Sequence, residues 1–280
     1  MQNKVGIFGY PISHSISPVF QQAALANLSI KATYEPWLVS PDELEGKVNA
    51  LRNNDYFGAN VTIPHKVQCI NYVDEVDLWA QKVGSINTIV NRQGKLYGFN
   101  TDSAGFLMSL RAEANYHPQE KTALIIGAGG AARAAVHALV KQGAHIVIAN
   151  RTVEKAYDIA SEFEIVDSVQ VVDRFSEGFE QACDNASLIV NCTPMGMKGG
   201  QFQNESPLDS SQIKEDVLVY DMVYNPVITP FLREAEKSGA ETVSGLSMLV
   251  FQGAESFKLW TGKMPSISVM SKAARRALNS

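Results

Sequence analysis

The sequence predicts an α/β protein with two domains: an N-terminal domain built on a mostly parallel sheet, and a doubly wound Rossmann-type domain. Strand-like and helix-like segments alternate through the first hundred residues, which is typical of a sheet covered by helices. A glycine-rich turn follows an apolar run near residue 127, as in dinucleotide-binding units. The 280 residues suffice for two domains of ordinary size. We place one domain at residues 1–102, completed by residues 247–280, and the other at residues 103–246.

The elements of the first domain are predicted from apolar runs and from the helix-forming segments between them. The tetrapeptide from Asn91 to Gly94 has the composition of a hairpin turn between the last two strands. The predicted strands cover residues 5–8, 33–39, 59–62, 86–91 and 95–99. The predicted helices cover residues 18–28, 42–52 and 67–83.

The second domain contains a strand, a turn and a helix in the order that cradles the phosphates of a dinucleotide. Residues 122–126 are β-branched and apolar, and residues 131–141 are rich in helix formers. Gly127 permits a tight turn, and Gly129 lets the backbone approach a pyrophosphate at the helix N-terminus. Ala132 stands at the position of the third glycine of the fingerprint. The alternative is a glycine-rich turn that serves only close packing of helix on sheet.

The end of the next strand indicates which dinucleotide is bound. After the strand at residues 145–149, a protein that binds NAD normally places Asp or Glu, which holds the ribose 2′-hydroxyl. Asn150 and Arg151 occupy that region here. Because a guanidinium suits a 2′-phosphate, the sequence predicts NADP(H) as the cofactor.

The remaining elements continue the alternation of strands and helices. A helix is predicted from about Ser103, before the glycine-rich turn. Residues 194–207 contain three glycines and polar side chains, and we expect them to form a long mobile loop near a ligand. The later strands are predicted at residues 169–172, 188–192, 217–220 and 241–243, and the closing helices at 248–260 and 267–278.

Composition excludes several classes of function. Hydrophobic content of 45% and charged content of 19% are those of an ordinary globular protein. The net charge of −5 gives no electrostatic footprint for nucleic acid, and no apolar run reaches membrane-spanning length. The N-terminus does not resemble a signal peptide, so a cytoplasmic location is predicted. The three cysteines and five histidines lack the spacing of a disulfide framework or a metal site.

Four polar segments adjoin the ends of predicted strands in the first domain. They are residues 9–18, 60–66, 85–88 and 100–102. In an open α/β sheet the ligand crevice lies at the carboxyl ends of strands, so we expect several of these segments to converge. Lys66 and Asp102 are the charged couple of the set, beside hydroxyl and amide groups. Such a lining suits a small polyhydroxylated acid.

Each of these residues also has an ordinary structural interpretation. Ser17, followed by Pro18, is placed to cap the first helix. Lys66 alone is a solvated side chain at a helix start, and Asp102 alone is an N-cap for the following helix. His14 and His65 are expected to be hydrogen-bonded supporting residues rather than catalysts.

Taken together, these motifs resemble those of the shikimate dehydrogenase family, over nearly the whole chain. The resemblance implies a two-domain α/β enzyme that reduces 3-dehydroshikimate to shikimate with NADPH, a step toward the aromatic amino acids. The matching segments are residues 9–18, 60–66, 87–88, 100–102, 127–132, 150–152, 221–224, 229–232, 245, 248–249 and 252.

The resemblance also implies a role for individual residues. The first domain would bind the substrate, with Ser15 and Ser17 on its carboxylate, and Lys66 and Asp102 would carry out catalysis. The residues that would contact the ring hydroxyls or their surroundings are Asn60, Thr62, Asn87 and Gln252. Tyr224 would lie near the substrate. The cofactor phosphates are assigned to Gly127, Ala128, Gly129, Gly130, Ala131, Asn150, Arg151 and Thr152, and the nicotinamide end to Thr193, Met222 and Gly245.

Within this interpretation Lys66 is the best candidate for the proton donor to the substrate oxygen, and Asp102 favours its charged form and fixes its direction. One alternative is a quinate/shikimate dehydrogenase with broader substrate or cofactor use. Another is a sensor that binds the acid without turnover, but Lys66 and Asp102 are both retained, which favours the enzyme. We expect a small-molecule substrate, no nucleic-acid or membrane partner, and a monomer or homodimer.

Overall fold

The computed structural model describes residues 3–163 and 168–279. The chain divides into two compact units. Unit 1 runs to Gly105 and resumes at Val250, and unit 2 comprises Phe106–Leu249. The chain therefore leaves unit 1 once and returns to it near its C-terminal end.

Unit 1 contains a six-stranded sheet with strand order β2-β1-β3-β5-β6-β4. Strand β1 pairs in parallel with β2 and β3, and β4 pairs in parallel with β6. Strand β5 is antiparallel to both β3 and β6. The predicted hairpin joins β5 to β6 through Gln93 and Gly94, which both have positive φ, while Asn91 and Arg92 belong to β5. The strands are β1 (Asn3–Gly9), β2 (Ala32–Leu38), β3 (Tyr56–Val61), β4 (Glu75–Val76), β5 (Thr88–Arg92) and β6 (Lys95–Phe99).

Helices cover this sheet and bury its apolar side chains. A core that includes Phe8, Leu44, Val61 and Ile89 joins the sheet to the helices that follow β2 and β3. Trp260 donates its indole N–H to the Ile89 carbonyl at 2.9 Å, which fixes the last long helix on β5. The helices are α1 (Ser17–Asn27), α2 (Leu44–Ala50), α3 (Leu78–Val83), the first turn of α4 (Asp102–Ala114), the later part of α9 (Gly245–Thr261) and α10 (Ile267–Leu278).

The predicted helix at residues 67–83 is wrong. The segment forms a 3₁₀ turn (Gln68–Tyr72), strand β4 and the short helix α3. The backbone N–H groups of Asp74 and Asp77 donate to carbonyls of β6, which holds the middle of the segment extended. The Asp77 carboxylate then caps α3 by accepting from the Trp79 N–H at 2.9 Å. Pairing with a sheet edge therefore overrides the helical pattern of this sequence.

Unit 2 is a doubly wound sheet of six parallel strands, as predicted. The strand order is β9-β8-β7-β10-β11-β12, which is the 3-2-1-4-5-6 order of dinucleotide-binding folds. The strands are β7 (Thr122–Ile126), β8 (His145–Asn150), β9 (Val169–Asp173), β10 (Leu188–Asn191), β11 (Leu218–Asp221) and β12 (Glu241–Ser244).

Alternate residues of these strands enter two separate cores, one on each face of the sheet. Ile125 and Ile148 contribute to one core, and Leu124 and Val147 to the other. Helices therefore cover both faces. They are most of α4, α5 (Gly130–Lys141), α6 (Val153–Ala160), α7 (Glu177–Asn185), α8 (Pro230–Ser238) and the start of α9.

Neither unit contains a helix long and apolar enough to cross a membrane, in the part of the chain that the structure describes. Within the same residues, no group of three or more His, Cys, Asp or Glu side chains is arranged to hold a metal ion.

Candidate functional site

The polar segments of unit 1 converge at one edge of its sheet because of how the strands pair. Strands β1 and β3 are parallel and end side by side, with Phe8 opposite Val61. The antiparallel strand β5 begins where β3 ends, with Thr88 opposite Asn60. Thr88 also lies opposite Phe99, the last residue of β6. The segments that follow β1, β3 and β6 and the one that precedes β5 are thus neighbours.

Lys66 and Asp102 meet at this edge. The Lys66 ammonium donates to Oδ2 of Asp102 at 2.6 Å, and the two side chains are 31% and 14% exposed. The Asp102 backbone N–H donates to the Asn100 side chain at 3.0 Å, which fixes the start of α4. The capping interpretation of Asp102 is wrong, since α4 begins at this residue and its carboxylate points to Lys66 and Asn87. The ammonium is therefore oriented by a carboxylate yet accessible to a ligand.

Asn87 completes the arrangement around Asp102. The backbone N–H of Thr101 can only donate, and it donates to Oδ1 of Asn87 at 2.9 Å. Nδ2 of Asn87 must then face the acceptors, which are Oδ1 of Asp102 at 2.8 Å and Oε1 of Gln252 at 3.1 Å, with the Thr101 hydroxyl at 2.9 Å. Asp102 is thus held between two donors, the ammonium of Lys66 and the amide of Asn87.

A buried network of amides and hydroxyls supports this edge from within unit 1. Nδ2 of Asn60 donates to the Asn87 carbonyl at 3.0 Å and also lies within hydrogen-bond distance of Thr88 and Ser256, while its Oδ1 accepts from Tyr34. Burial raises the pKa of Tyr34, so this phenol remains a donor. The amide hydrogens of Asn60 are satisfied inside the protein, and its role toward substrate stays a prediction.

Ser15 and Ser17 follow β1 at the same edge. The capping interpretation of Ser17 is wrong: Ile16 is the N-cap of α1, and no side-chain hydrogen bond caps this helix. Ser17 is the first residue of the helix, its N–H donates to the Ser15 hydroxyl at 3.3 Å, and the residue is 4% exposed. Among the described residues the Ser17 hydroxyl has no hydrogen-bond partner, and neither does the hydroxyl of the half-buried Thr62, which follows β3.

The two histidines near this edge differ. His65 is buried and its Nε2 hydrogen-bonds the Val39 carbonyl at 2.8 Å, as a supporting residue should. His14 is exposed and makes no hydrogen bond with the described residues, so the same expectation is wrong for it.

In unit 2 the glycine-rich turn has the shape that a phosphate requires. Gly127 has φ of +112°, and a Cβ there would lie 3.1 Å from Thr193, so only glycine fits. Around Gly129 and Gly130 a Cβ would meet nothing within 4 Å. Gly129 is the N-cap of α5 and has no side chain to satisfy the free N–H groups of the first helical turn. An open cradle of backbone donors at a helix N-terminus fits a pyrophosphate group.

The residues that follow β8 are open to a ligand. Arg151 and Thr152 are exposed, and the Arg151 side chain has no hydrogen-bond or ion-pair partner among the described residues. The Asn150 amide donates to the Thr152 carbonyl at 2.8 Å, which shapes the turn into α6. A guanidinium without a carboxylate partner is available for a phosphate.

The other half of this sheet holds the remaining predicted residues of unit 2. The hydroxyl and N–H of Thr193 both donate to Oδ1 of Asn191, the last residue of β10. A Cβ on Gly245 would lie 2.4 Å from the Met222 carbonyl oxygen, so glycine is required where α9 begins. Burial raises the pKa of the partly buried Tyr224. The roles of Met222, Tyr224 and Gly245 toward ligands stay predictions.

The loop at residues 194–207 is organised by its own hydrogen bonds. The Gly196 N–H donates to the Phe202 carbonyl, and the Arg174 guanidinium donates to the Pro207 carbonyl. The N–H of Lys198 donates to the Asn225 carbonyl at 2.8 Å. The mobility expected for this loop stays a prediction.

The sequence matches models of one protein family along most of its length. The model described as the shikimate dehydrogenase substrate binding domain matches residues 7–89. The model for shikimate/quinate 5-dehydrogenase matches residues 110–195, and that for the shikimate 5′-dehydrogenase C-terminal domain matches residues 245–275.

Full-length relatives decide the assignment. The shikimate dehydrogenase (NADP(+)) of Methanopyrus kandleri is 42% identical over 275 residues, which cover 97% of this chain and 94% of that protein. This chain belongs to the shikimate dehydrogenase family. The family member of Carboxydothermus hydrogenoformans, also named shikimate dehydrogenase (NADP(+)), is 40% identical over 96% of this chain and 95% of its own.

A solved structure of the family shares the fold. The shikimate 5-dehydrogenase of Thermus thermophilus, crystallised in complex with NADP(H) and shikimate, is 37% identical and superposes with a TM-score of 0.88, covering 99% of this chain and 100% of its own. Both the predicted family and the predicted fold class are confirmed.

Several residues that build the site were not assigned a role from the sequence. Thr101 and Ser256 sustain the network around Asn87, and Asn191 and Asp221 tie β10 to β11. For Asn191 and Asp221 a local signal exists, namely a polar residue that ends an apolar strand. For Ser256 none does, because a single serine within a mostly apolar helix gives no indication of its partners.

Proposed function

We propose that this chain catalyses the reversible, NADPH-dependent reduction of 3-dehydroshikimate to shikimate. The observation that carries the proposal is the ion pair of Lys66 and Asp102, held beside Asn87 and Gln252 at the edge where the polar segments converge. These groups would serve proton transfer to a small hydroxylated acid. The chain accordingly takes small molecules as ligands; its state as monomer or homodimer and its cytoplasmic location stay predictions.

Unit 1 supplies the groups that recognise a hydroxylated carboxylic acid. Ser15 and Ser17 offer neutral hydroxyl donors to the carboxylate, and neither hydroxyl donates to another described residue. Asn87 and Gln252, which are hydrogen-bonded to each other at 3.1 Å, would face the ring hydroxyls, and Thr62 and Asn60 would belong to the same lining. Several hydrogen bonds of this kind reject analogues that lack one hydroxyl, because a buried polar group is then left unpaired.

Lys66 supplies the proton. When hydride adds to the carbonyl carbon, negative charge develops on oxygen, and an ammonium within hydrogen-bond reach neutralises it by proton transfer. Asp102 directs the ammonium through the 2.6 Å contact. In the reverse oxidation Lys66 accepts the proton of the substrate hydroxyl.

Unit 2 supplies the cofactor site. The backbone donors of Gly127–Ala131 at the start of α5 would hold the pyrophosphate, and Asn150, Arg151 and Thr152 the 2′-phosphate end. Thr193, Met222 and Gly245 would line the nicotinamide end. When bound, NADPH provides the hydride for the reduction.

The direct test is spectrophotometric. Purified protein is expected to form NADPH from NADP⁺ and shikimate, with lower kcat/KM for quinate and for NAD⁺. Equal or better turnover of quinate with NAD⁺ would favour the broader quinate/shikimate activity. Binding of shikimate by calorimetry without any turnover would contradict the enzyme and favour a sensor.

The two serines can be tested by their effect on substrate affinity. Ser15→Ala or Ser17→Ala is expected to raise the KM for shikimate by about tenfold, because each loses a hydrogen bond to a charged group. Binding of NADP⁺ should be nearly unchanged, because the cofactor residues belong to unit 2. Steady-state kinetics and nucleotide titration measure both effects.

Ser13→Ala is the matched control, since Ser13 is an exposed serine of the same loop. It should leave the KM unchanged. An unchanged KM in both Ser15→Ala and Ser17→Ala would remove these residues from the carboxylate site.

Cofactor preference is expected to depend on Arg151. Loss of a bidentate guanidinium–phosphate contact in Arg151→Ala should weaken NADP⁺ binding by about 10²-fold and leave NAD⁺ binding almost as it was. Fluorescence titration with both nucleotides measures the preference. Arg111→Ala is the control. It removes an exposed arginine in the last turn of α4 that bonds the Gln142 side chain, and it should not change the preference between NADP⁺ and NAD⁺. An unchanged NADP⁺/NAD⁺ ratio in Arg151→Ala would place the 2′-phosphate elsewhere.

A further inference from the structure

A carboxylate that the proposed reaction does not use is buried at the end of β11. Asp221 and Asn191 are the last residues of neighbouring parallel strands and lie opposite each other, and both are 0% exposed. Nδ2 of Asn191 donates to Oδ1 of Asp221 at 2.9 Å. Asp221 has no ion-pair partner among the residues that the structure describes.

The hydrogen bonds around Asp221 match an ionised carboxylate. Its Oδ1 accepts from the Val223 backbone N–H at 3.0 Å as well as from Asn191, and its Oδ2 accepts from the Thr229 hydroxyl at 2.6 Å. Thr229 itself accepts from the Leu232 N–H, so its proton is free to point at Asp221. Burial raises the pKa of Asp221 to about 6, and these three hydrogen bonds oppose the rise. The negative charge is thus stabilised by oriented donors alone.

Three segments at this edge of the sheet depend on the network. Oδ1 of Asn191 holds Thr193, and the Val223 N–H fixes the turn that carries Met222. Thr229 caps α8 and closes the loop that follows β11. The loops after β10 and β11 are therefore cross-linked to one buried group.

These loops belong to the second half of the doubly wound sheet. In such a sheet the half that contains the glycine-rich turn binds one mononucleotide, and the half across the switch point between β7 and β10 binds the other. Because the turn at Gly127 and Arg151 serve the adenosine half, the nicotinamide half faces the loops that Asp221 organises.

We propose that Asp221 is a positioning residue for the nicotinamide half of the cofactor, holding the loops of Thr193 and Met222 through its three donors. This inference rests on the proposed function for the identity of the cofactor. Asp221 does not touch the reacting atoms; it acts through the backbone and side chains that it binds.

Asp221→Asn tests the role with little change in shape. The asparagine oxygen can still accept from Asn191 and from the Val223 N–H. Its NH₂ group would face the Thr229 hydroxyl in place of an acceptor oxygen, and the negative charge would be absent. We expect the Kd for NADP⁺ to rise by about tenfold, the loss of one hydrogen bond to a charged group. The Kd for adenosine 2′,5′-bisphosphate, which lacks the nicotinamide, should be unchanged. Calorimetric titration of the full chain gives both values.

Tyr220→Phe is the matched control. Tyr220 precedes Asp221 on β11, is equally buried, and shares a 2.7 Å hydrogen bond with Ser109 on the opposite face. Loss of the Tyr220 hydroxyl should reduce thermal stability without changing the Kd for NADP⁺ or for adenosine 2′,5′-bisphosphate. Thr229→Val should weaken NADP⁺ in the same way as Asp221→Asn, and Thr229→Ser, which keeps the hydroxyl, should bind as wild type.

The outcomes separate the possibilities. Equal weakening of both nucleotides in Asp221→Asn would show general damage to unit 2, and unchanged binding of both would show a purely structural carboxylate; either result overturns the proposal. A wild-type protein that binds NADP⁺ but does not oxidise shikimate would contradict the proposed function and leave these binding measurements valid.

Discussion

The Lys66→Ala protein is expected to lose kcat by about 10²–10⁴-fold while its KM for shikimate changes little. An acid that donates its proton only as charge develops on the carbonyl oxygen contributes to the transition state and not to substrate binding. The accessible ammonium, held by Asp102 at 2.6 Å, has the geometry for this role. Steady-state kinetics in both directions, with folding checked by circular dichroism, would measure the effect.

Lys95→Ala is the control for loss of an ion-paired lysine in the same unit. Lys95 is the first residue of β6 and forms an ion pair with Glu75. Asp102 lies beyond the other end of the same strand. This variant should keep normal kcat and KM. If Lys66→Ala kept near-normal kcat, or lost only substrate affinity, Lys66 would be a binding residue. Tyr224 would then be a poor substitute as acid, because burial raises its pKa, and an ordered water would be the better candidate.

Asp102→Asn is expected to lower kcat by about 10²-fold and to raise the KM for shikimate by about tenfold. Asp102 accepts from Lys66 and Asn87 on its two oxygens, whereas an asparagine has one acceptor oxygen. Either the ammonium loses its direction or Asn87 turns away from its partners. Since Asn87 also bonds Gln252, the second change would disturb two residues that we propose to bind the substrate. Both kinetic constants should therefore change together, unlike those of Lys66→Ala.

Asp74→Asn provides the comparison for a carboxylate of the same unit. Asp74 accepts from Arg52 and from the Leu96 N–H, away from the strand ends that build the site. Its replacement should lower stability without changing kcat or KM. A loss of kcat in Asp102→Asn with normal KM would assign Asp102 to proton transfer alone and would remove it from substrate binding.

Local sequence patterns were sufficient for the dinucleotide-binding unit. The apolar run before Gly127, the helix after it and the strand that ends at Asn150 are contiguous, and each is encoded by its own residues. The order of strands in unit 2 is the one that a Rossmann-type domain implies. The same local logic predicted the hairpin at Asn91–Gly94, since a tight turn places the two strands that it joins side by side.

Local patterns failed where a distant partner competed with them. Residues 67–83 are compatible with a helix, but the backbone of Asp74 and Asp77 bonds β6 and part of the segment becomes a strand. Ser17 has the sequence of an N-cap, yet the helix begins one residue earlier and leaves its hydroxyl for another use. In both places the local pattern was compatible with more than one structure.

The sequence by itself determined the two α/β patterns, the phosphate-binding turn and the polar character of the strand ends. Only the tertiary structure decided which of those polar groups meet. Lys66 and Asp102 are 36 residues apart and Asn87 and Gln252 are 165 apart, and they come together because β5 runs antiparallel to β3 and β6 and because α9 packs beside them. The buried pair of Asn191 and Asp221 arises in the same way, from the register of two strands. Element type is set by short-range preferences of the chain, whereas contacts between elements depend on sheet pairing and core packing, which no single segment encodes.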